Sequence, residues 1–420
     1  MAAPDVRGAV EAVFRIERAR LVAGLARLVR DLGLAEELAQ EALLAALTEW
    51  PRTGVPDRPG AWLTAVARRQ AIDGLRRRRM LDRKHAELAR ELADACEGGP
   101  EAMETLLDDE LGDELLALIF VACHPVLPRA ARIALTLRLI GGLTTEEIAR
   151  AFLTGEATVA QRIVRAKRTL SRAGLAFAVP RGPERAARLA SVLEVIYLIF
   201  NEGYAATAGP DLLRPALCAE AMRLGRILAG LAPEEPEVLG LLALMELQAS
   251  RLPARTGADG AAVPLPAQDR ARWDRLLIGR GLAALRRAEE LGGAEGPYAL
   301  QAALAACHAR AARAEDTDWA GIAALYDRLR AVMPSPVVEL NRAVAHSMAF
   351  GPRIGLKLLA TLAGVPALRR YAPLSAARGD CLLRAGRPAE ARIEFERAAA
   401  LAGNQRERDF LRARAVACGG

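Results

Sequence analysis

A short capped helix, a turn and a longer amphipathic helix, all within residues 143–170, constrain the fold more than any other feature of the sequence. Thr144 precedes Glu147 by three residues, which is the spacing of a capping box, so a helix is expected to begin there. Residues 153–155 supply the turn, and a second helix is expected from 156 to about 172. Its apolar positions, at helical spacing, are Val159, Ile163, Ala166 and Leu170. The pattern predicts a helix-turn-helix.

The rest of this second helix is polar and basic. In a recognition helix, the first residues reach base edges in the major groove of DNA, and later Arg and Lys residues bind phosphates. The alternative interpretation is an amphipathic helix with a solvated basic face, but the capped helix and tight turn before it favour DNA recognition. The residues expected to contact DNA are Thr158, Gln161, Arg162, Arg165, Lys167 and Arg168.

The composition predicts an all-α protein. Of the 420 residues, 52% are hydrophobic but only 4% are aromatic, and the strong helix formers Ala, Leu, Arg and Glu dominate. We expect four segments: residues 1–80, a linker at 81–109, the helix-turn-helix segment at 110–177, and a long helical segment at 184–420. A chain of this length is expected to form two or three domains.

The long C-terminal segment contains a helical-repeat pattern. Within residues 376–400, Gly379 lies on a first helix, residues 386–388 make a turn, and Phe395 lies on a second helix. A small residue lets two antiparallel helices approach, and a large one fills the gap, as in a tetratricopeptide repeat. A generic helical hairpin is the alternative. Because repeats need neighbours to bury their faces, several are expected to stack here.

Nothing in the sequence predicts an enzyme, a cofactor or a metal site. The six cysteines form no C-x-x-C pair, and no phosphate-binding loop, nucleophile elbow or H-E-x-x-H motif is present. The pair Cys123-His124 is better explained by a buried thiol and a core or capping histidine. No apolar stretch is long enough to span a membrane, and Met1–Arg20 lacks the apolar block of a signal peptide, so a cytoplasmic protein is expected.

The first segment contains two further amphipathic helices. Residues 35–51 (AEELAQEALLAALTEWP) place acidic and amide side chains ahead of an apolar run. Residues 59–73 (PGAWLTAVARRQAID) lead into the basic run 76–79, which suits the phosphates of a nucleic acid. Trp62 either packs in the core, which is the favoured interpretation, or stacks on a base.

Together with the helix-turn-helix, these segments resemble the extracytoplasmic-function (ECF) group of bacterial sigma-70 factors, over about residues 8–176. Residues 35–47 resemble the polymerase-binding part of region 2, and residues 59–79 resemble the part that opens and reads the −10 element. Residues 142–170 resemble region 4.2, which reads the −35 element. The resemblance implies a promoter-specificity factor without catalysis of its own.

The resemblance implies a role for each matching residue. The residues that would bind the β′ clamp helices of core RNA polymerase are Glu36, Glu37, Leu38, Gln40, Glu41 and Leu44. The β flap is a further implied partner. The loop 52–58 would hold a flipped base. The residues that would contact the opened −10 strand are Trp62, Arg68, Arg69, Arg76, Arg77, Arg78 and Arg79. The −35 element would be read by the six residues of the recognition helix. Arg68-Arg69 departs from the smaller polar residue that many members carry.

The C-terminal segment resembles the extension of those sigma factors that carry a tetratricopeptide-like domain and are encoded beside small YCII-related proteins. Segments 195–204, 269–274 and 335–345 carry this resemblance. It implies a regulatory or activity-supporting module and a regulatory protein that contacts it, with no membrane partner. Asn201-Glu202-Gly203-Tyr204 is either a contact surface or a structural helix end, with Gly203 as the expected stop.

Two other functions compete with this one. A conventional repressor or activator would use the helix-turn-helix without polymerase, with the repeats sensing a ligand or partner. Such a protein has no need of the 35–51 and 59–79 helices, which therefore favour the sigma factor. A repeat-domain enzyme is the weakest alternative, since no catalytic constellation is found.

Overall fold

α-Helices and short 3-10 turns account for the regular structure of the described residues, which form no β-strand, as the composition predicted. The computed structural model describes residues 6–81, 104–152, 154–205, 213–257, 263–403 and 405–418. The chain divides into two compact units, Met1–Val195 and Ile196–Gly420. The boundary falls within the eighth helix.

The helices of the first unit surround a core of small and branched aliphatic residues with one buried indole, Trp50, at 1% exposure. They are α1 (Val6–Val29), α2 (Leu32–Thr53), α3 (Pro59–Leu81), α4 (Glu104–Ala122), α5 (Arg129–Leu139), α6 (Thr145–Ala151), α7 (Glu156–Arg172) and α8 (Gly182–Tyr204).

Local chemistry fixes both ends of α2. The carboxylate of Asp31 accepts a hydrogen bond from the Leu34 amide (2.9 Å) and caps the first turn. At the other end Gly54 adopts a φ of 84°, a conformation that suits glycine, and its N–H donates to the Trp50 carbonyl. The loop to α3 starts there.

The predicted linker, residues 81–109, includes the start of a helix. α4 begins at Glu104, within the predicted linker, while residues 82–103 lie outside the described part. Acidic residues at 108–110 lie in the N-terminal half of α4, where negative charge is better tolerated than near the C-terminal end.

The second unit is built from antiparallel helix pairs, as the repeat pattern predicted. In the pair predicted from residues 376–400, a Cβ at Gly379 would lie 2.8 Å from the Phe395 ring, so only glycine permits this approach. Phe395 is fully buried in the core that the pair shares with the last helix. The helices are α9 (Pro215–Leu231), α10 (Pro236–Ala249), α11 (Arg275–Glu290), α12 (Pro297–Arg310), α13 (Trp319–Val332), α14 (Pro336–Phe350), α15 (Pro352–Thr361), α16 (Ala372–Arg384), α17 (Pro388–Leu401) and α18 (Gln405–Ala417).

α8 ends one residue after Gly203, the expected stop. α8 continues to Tyr204, and a Cβ at Gly203 would lie 2.7 Å from the backbone nitrogen of Cys218 in α9. The glycine therefore permits close packing of α8 on α9. Asn201-Glu202-Gly203-Tyr204 is the last turn of a packed helix.

Candidate functional site

The helix-turn-helix forms as the sequence predicted. The Thr144 hydroxyl accepts from the Glu147 amide (3.1 Å), and the Thr144 amide donates to the Glu147 carboxylate (2.7 Å), which completes the capping box of α6. Gly155 is the N-cap of α7. The hydroxyl of Thr145 donates to the carboxylate of Glu156 (3.0 Å) and joins the starts of the two helices.

Burial on α7 follows the predicted period. Val159, Ile163, Ala166 and Leu170 are at most 5% exposed. The predicted DNA-contacting side chains Thr158, Gln161, Arg165 and Arg168 form one exposed stripe, while Arg162 is half-buried beside it.

The basic side chains of this stripe, and of Arg162 beside it, are not neutralised by carboxylates of the described residues. In the part of the chain that the structure describes, Arg162, Arg165 and Arg168 form no ion pair, although many other arginines do, such as Arg150 with Glu146 (2.6 Å) in the neighbouring helix. Guanidinium groups without a carboxylate partner remain available to phosphates and base edges. The stripe therefore has the charge and the access that a groove-binding surface requires.

Lys167 lies apart from the stripe. Nine residues after Thr158, it is turned about 180° around a helix of 3.6 residues per turn. Its side chain is 23% exposed and its ammonium group contacts the carboxylate of Glu36 in α2. The structure thus does not bring Lys167 together with the other predicted DNA contacts.

The predicted polymerase-binding residues of α2 separate into two sets. Glu37, Gln40, Glu41 and Leu44 lie at spacings of three and four residues on one exposed stripe, in which Leu44 is 61% exposed. Leu38 and Glu36 are buried, at 6% and 5% exposure. The exposed stripe is acidic and contains an apolar side chain.

Glu36 lies among three basic groups. Besides Lys167, its carboxylate accepts from Arg18 (2.7 Å) in α1 and lies 3.6 Å from Arg138 Nε in α5. Arg18 also donates to the Arg138 carbonyl (2.8 Å). Burial and the neighbouring Arg138 lower the pKa of Arg18, against the opposing effect of Glu36. These four side chains, which we call the Glu36 cluster, join α1, α2, α5 and α7.

Sequence reasoning missed Arg18 and Arg138. Both are ordinary arginines in amphipathic helices, and no motif marks them. Only the fold brings them to Glu36, so the residue pattern held no signal for either.

The predicted −10 residues lie on or near α3. Trp62 is half-buried, and its ring packs edge-on against Trp50 with centroids 5.4 Å apart, which places it at the edge of the core. Arg68 is half-buried and Arg69 is exposed. Residues 76–79 belong to the last turns of α3, but their side chains lie outside the described part of the chain.

Other types of site find no support in the residues that the structure describes. They contain no group of His, Cys, Asp and Glu placed to hold a metal ion. Burial raises the pKa of Cys123 to about 11, and its thiol hydrogen-bonds with Thr136 (3.3 Å), which makes it an unreactive core residue. No described helix combines the length and the apolar character that a bilayer span needs.

Comparison with known protein families matches the two N-terminal modules. The model of sigma-70 region 2 matches residues 14–80, and the model of sigma-70 region 4 matches residues 117–170. Residues 188–289 match a family of unknown function, DUF6596.

Comparison with individual proteins gives a close relative. "Uncharacterized protein R00370" of Rhizobium meliloti (strain 1021) is 46% identical over 396 residues, covering 94% of this chain and 92% of the relative. Among solved structures, yeast Tom70 covers 99% of this chain and 85% of its own, at 13% identity and a TM-score of 0.37.

Proposed function

Because this chain belongs to the sigma-70 family, in the ECF group that carries a helical C-terminal extension, we propose that it binds core RNA polymerase and directs initiation at promoters with specific −35 and −10 elements. The chain is a sigma factor for transcription initiation, and a separate surface would perform each of these steps.

The −35 element is read by the exposed stripe of α7. The observation that carries this assignment is the capped helix-turn-helix whose basic side chains, Arg162, Arg165 and Arg168, have no carboxylate partner in the described structure. Gln161 can bond adenine bidentately, and arginine can bond guanine. Arg168, farther along the helix, is better placed for the phosphate backbone.

Core polymerase binds the exposed stripe of α2. Glu37, Gln40 and Glu41 give this surface negative charge and hydrogen-bonding groups, and Leu44 gives it an exposed apolar anchor. Of the six residues that the family resemblance implicates, these four are accessible in the described structure. Glu36 and Leu38 instead support α2 from its buried side.

The −10 element is opened and read by α3 and the loop before it. Trp62 is held against Trp50, which fixes the start of α3, and Arg69, the residue after the half-buried Arg68, is exposed about two turns before the basic run 76–79. A helix with a cationic end suits a single strand, whose phosphates need neutralising.

The two readers separate when the promoter is bound. The −35 and −10 elements lie about 25 base pairs apart, which is about 85 Å of B-form DNA at 3.4 Å per pair. In the described structure, α7 contacts α2 through the Glu36 cluster. The 23-residue α3, which would read the −10 element, is only about 35 Å long, so it does not bridge the distance between the two elements. Both elements can be read at once only if the Lys167–Glu36 contact opens.

A second contact must open as well. Arg27 in α1 pairs with Glu114 in α4 at 3.3 Å, and Glu114 is 7% exposed. The described arrangement is therefore a closed form, in which the exposed stripes of α2 and α7 are accessible but their separation is too short for a promoter.

Transcription from a matched promoter by purified core polymerase, with and without this chain, tests the proposal. A transcript that depends on the chain supports it. Tight DNA binding by the chain alone, with no initiation, would instead indicate a conventional regulator.

A further inference from the structure

Three arginines of the second unit converge on two aromatic rings. The Arg255 guanidinium lies 3.7 Å from the centre of the Tyr204 ring, and that of Arg251 lies 5.8 Å from Tyr204 and 5.9 Å from Trp273. The Arg270 guanidinium lies 5.0 Å from the Trp273 ring. We call these three residues the arginine cluster.

No carboxylate of the described residues forms an ion pair with this cluster. In the described part of the chain, Arg255 donates to the Tyr204 carbonyl, and Arg270 donates to the carbonyls of His308 (2.8 Å) and Ala311 (2.6 Å). Within the described residues, Arg251 donates only to the Tyr204 hydroxyl and the side-chain oxygen of Gln248. All these acceptors are uncharged.

Among the described residues, the acidic side chains near Arg270 and Trp273 form other contacts. Asp269 and Asp274 accept from the backbone amides of Ala271 (2.9 Å) and Leu277 (3.0 Å). Asp316 forms its ion pair with Arg313 at 3.3 Å, and its charge also raises the pKa of Arg270 against the larger lowering effect of burial, but it forms no ion pair with the described cluster residues.

Two buried donors at the cluster have no acceptor among the described residues. They are the indole Nε1 of Trp273, whose residue is 3% exposed, and Nε of Arg270, whose residue is 6% exposed. A buried donor without an acceptor is costly, and next to cations the acceptor that fits best is an anion. The local potential also acts on His308, because burial and then Arg251 and Arg270 lower its pKa to about 4.

We propose that the arginine cluster is the binding site of a small oxyanion, a phosphate or carboxylate group, held by Arg251 and Arg255 beside Trp273. A guanidinium fork matches two oxygens of such a group and gives a bidentate, charge-assisted contact. The site lies where α8 ends at Tyr204, so occupancy would stabilise the last turn that contains Asn201-Glu202-Gly203-Tyr204. Through this site, the C-terminal extension would bind a ligand that carries a phosphate or carboxylate group.

Isothermal titration calorimetry of the full chain tests this proposal without any transcription assay, so its outcome is independent of the promoter-recognition proposal. Sodium phosphate and disodium succinate are titrated separately, with sodium chloride at matched ionic strength as the reference. We expect saturable binding at one site per chain; a preference for phosphate or for succinate identifies the anionic group. Absence of saturable heat from both probes would overturn the proposal and leave the arginines as caps of helix ends.

Variants sharpen the experiment. Arg251→Met should weaken binding by about tenfold or more, because it removes the guanidinium that has only neutral partners. Trp273→Phe keeps a ring but removes the buried donor and should also weaken binding. Arg286→Met, an equal charge change on an exposed face of α11, should bind as the unmodified chain does.

A folding defect is controlled by a conservative change. If circular dichroism shows that Arg251→Met disturbs the helices, Arg251→Lys keeps the charge but loses the planar fork, and affinity should still fall severalfold. Unchanged affinity in folded Arg251→Lys and Trp273→Phe chains would contradict the assignment.

Discussion

The ammonium group of Lys167 in α7 contacts the carboxylate of Glu36 in α2, and Arg18 bonds the same carboxylate at 2.7 Å. Lys167 was expected to contact DNA, and Glu36 was expected to contact polymerase. In the described structure they touch each other instead. The modules assigned to the −35 and −10 elements are therefore held together by a buried ion cluster.

Carbodiimide cross-linking tests this closed form. The reagent joins a carboxylate and an amine in direct contact as an amide, with loss of water, and lysines are rare in this chain, at Lys84, Lys167 and Lys357. Mass spectrometry should detect a Glu36–Lys167 link in the free chain. Because promoter binding requires separation, the link should be lost in the complex with core polymerase and promoter.

Lys357 is the internal control for that experiment. It is exposed on α15 and forms no ion pair among the described residues, so it should give no comparable link. A Glu36–Lys167 link of undiminished yield in the promoter complex would show that the two modules do not separate.

Leu44→Ala tests the polymerase-binding stripe of α2. Leu44 is 61% exposed, so truncation should leave the fold intact, whereas loss of its burial at an interface costs about 1–2 kcal/mol, or about tenfold in affinity for core polymerase. Fluorescence anisotropy of labelled chain with core enzyme measures the change. Leu276→Ala, at 67% exposure in α11, is the matched control and should bind normally. Equal affinities of the two variants for core polymerase would show that Leu44 is not part of the interface.

Gln161→Ala tests the register of the recognition helix. If Gln161 contacts a base, the change should cost about 1–3 kcal/mol at a matched promoter and relax preference at one −35 position. Arg168→Ala should instead weaken binding to all sequences. It should also reduce the slope of log affinity against log salt concentration by about one. Binding of the holoenzyme to promoters varied at each −35 position measures both. Relaxation of one position by Arg162→Ala, and not by Gln161→Ala, would shift the base contact by one residue.

His308 gives the second unit a defined pH dependence. Burial and the nearby arginines lower its pKa from 6.5 to about 4, so below pH 6.5 the unfolded chain takes up a proton that the folded chain does not. Stability is therefore retained above pH 6.5 and falls as the pH drops toward 4, by up to about 1.4 kcal/mol per pH unit. Calorimetric unfolding from pH 7.5 to 4.5 should show a smaller decline for His308→Gln than for His346→Gln. Identical slopes would contradict this.

The local parts of the fold could be predicted from the sequence. Capping by Thr144 and Glu147, and burial of Val159 and Ile163, are set by residues within a few turns of each other, and the structure confirms both. The Gly379–Phe395 approach was equally visible, because both residues belong to one hairpin.

The tertiary ion pairs could not be predicted in this way. Periodicity places Glu36 near the polar side of α2, and only the packing of α5 and α7 against it explains its burial. Lys167 is a partial exception, because its spacing of nine residues from Thr158 already places it on the opposite side of the helix. The role of each site residue in binding remains a prediction.

Run-off transcription tests the central claim most directly. Core polymerase freed of other sigma factors is combined with this chain and a randomised promoter library, and the transcripts are sequenced. We expect transcripts from a narrow set of promoters sharing −35 and −10 elements, lost with Leu44→Ala at limiting polymerase and altered at one −35 position with Gln161→Ala. A chain that binds the same DNA without core polymerase and yields no specific transcript with it would contradict the account.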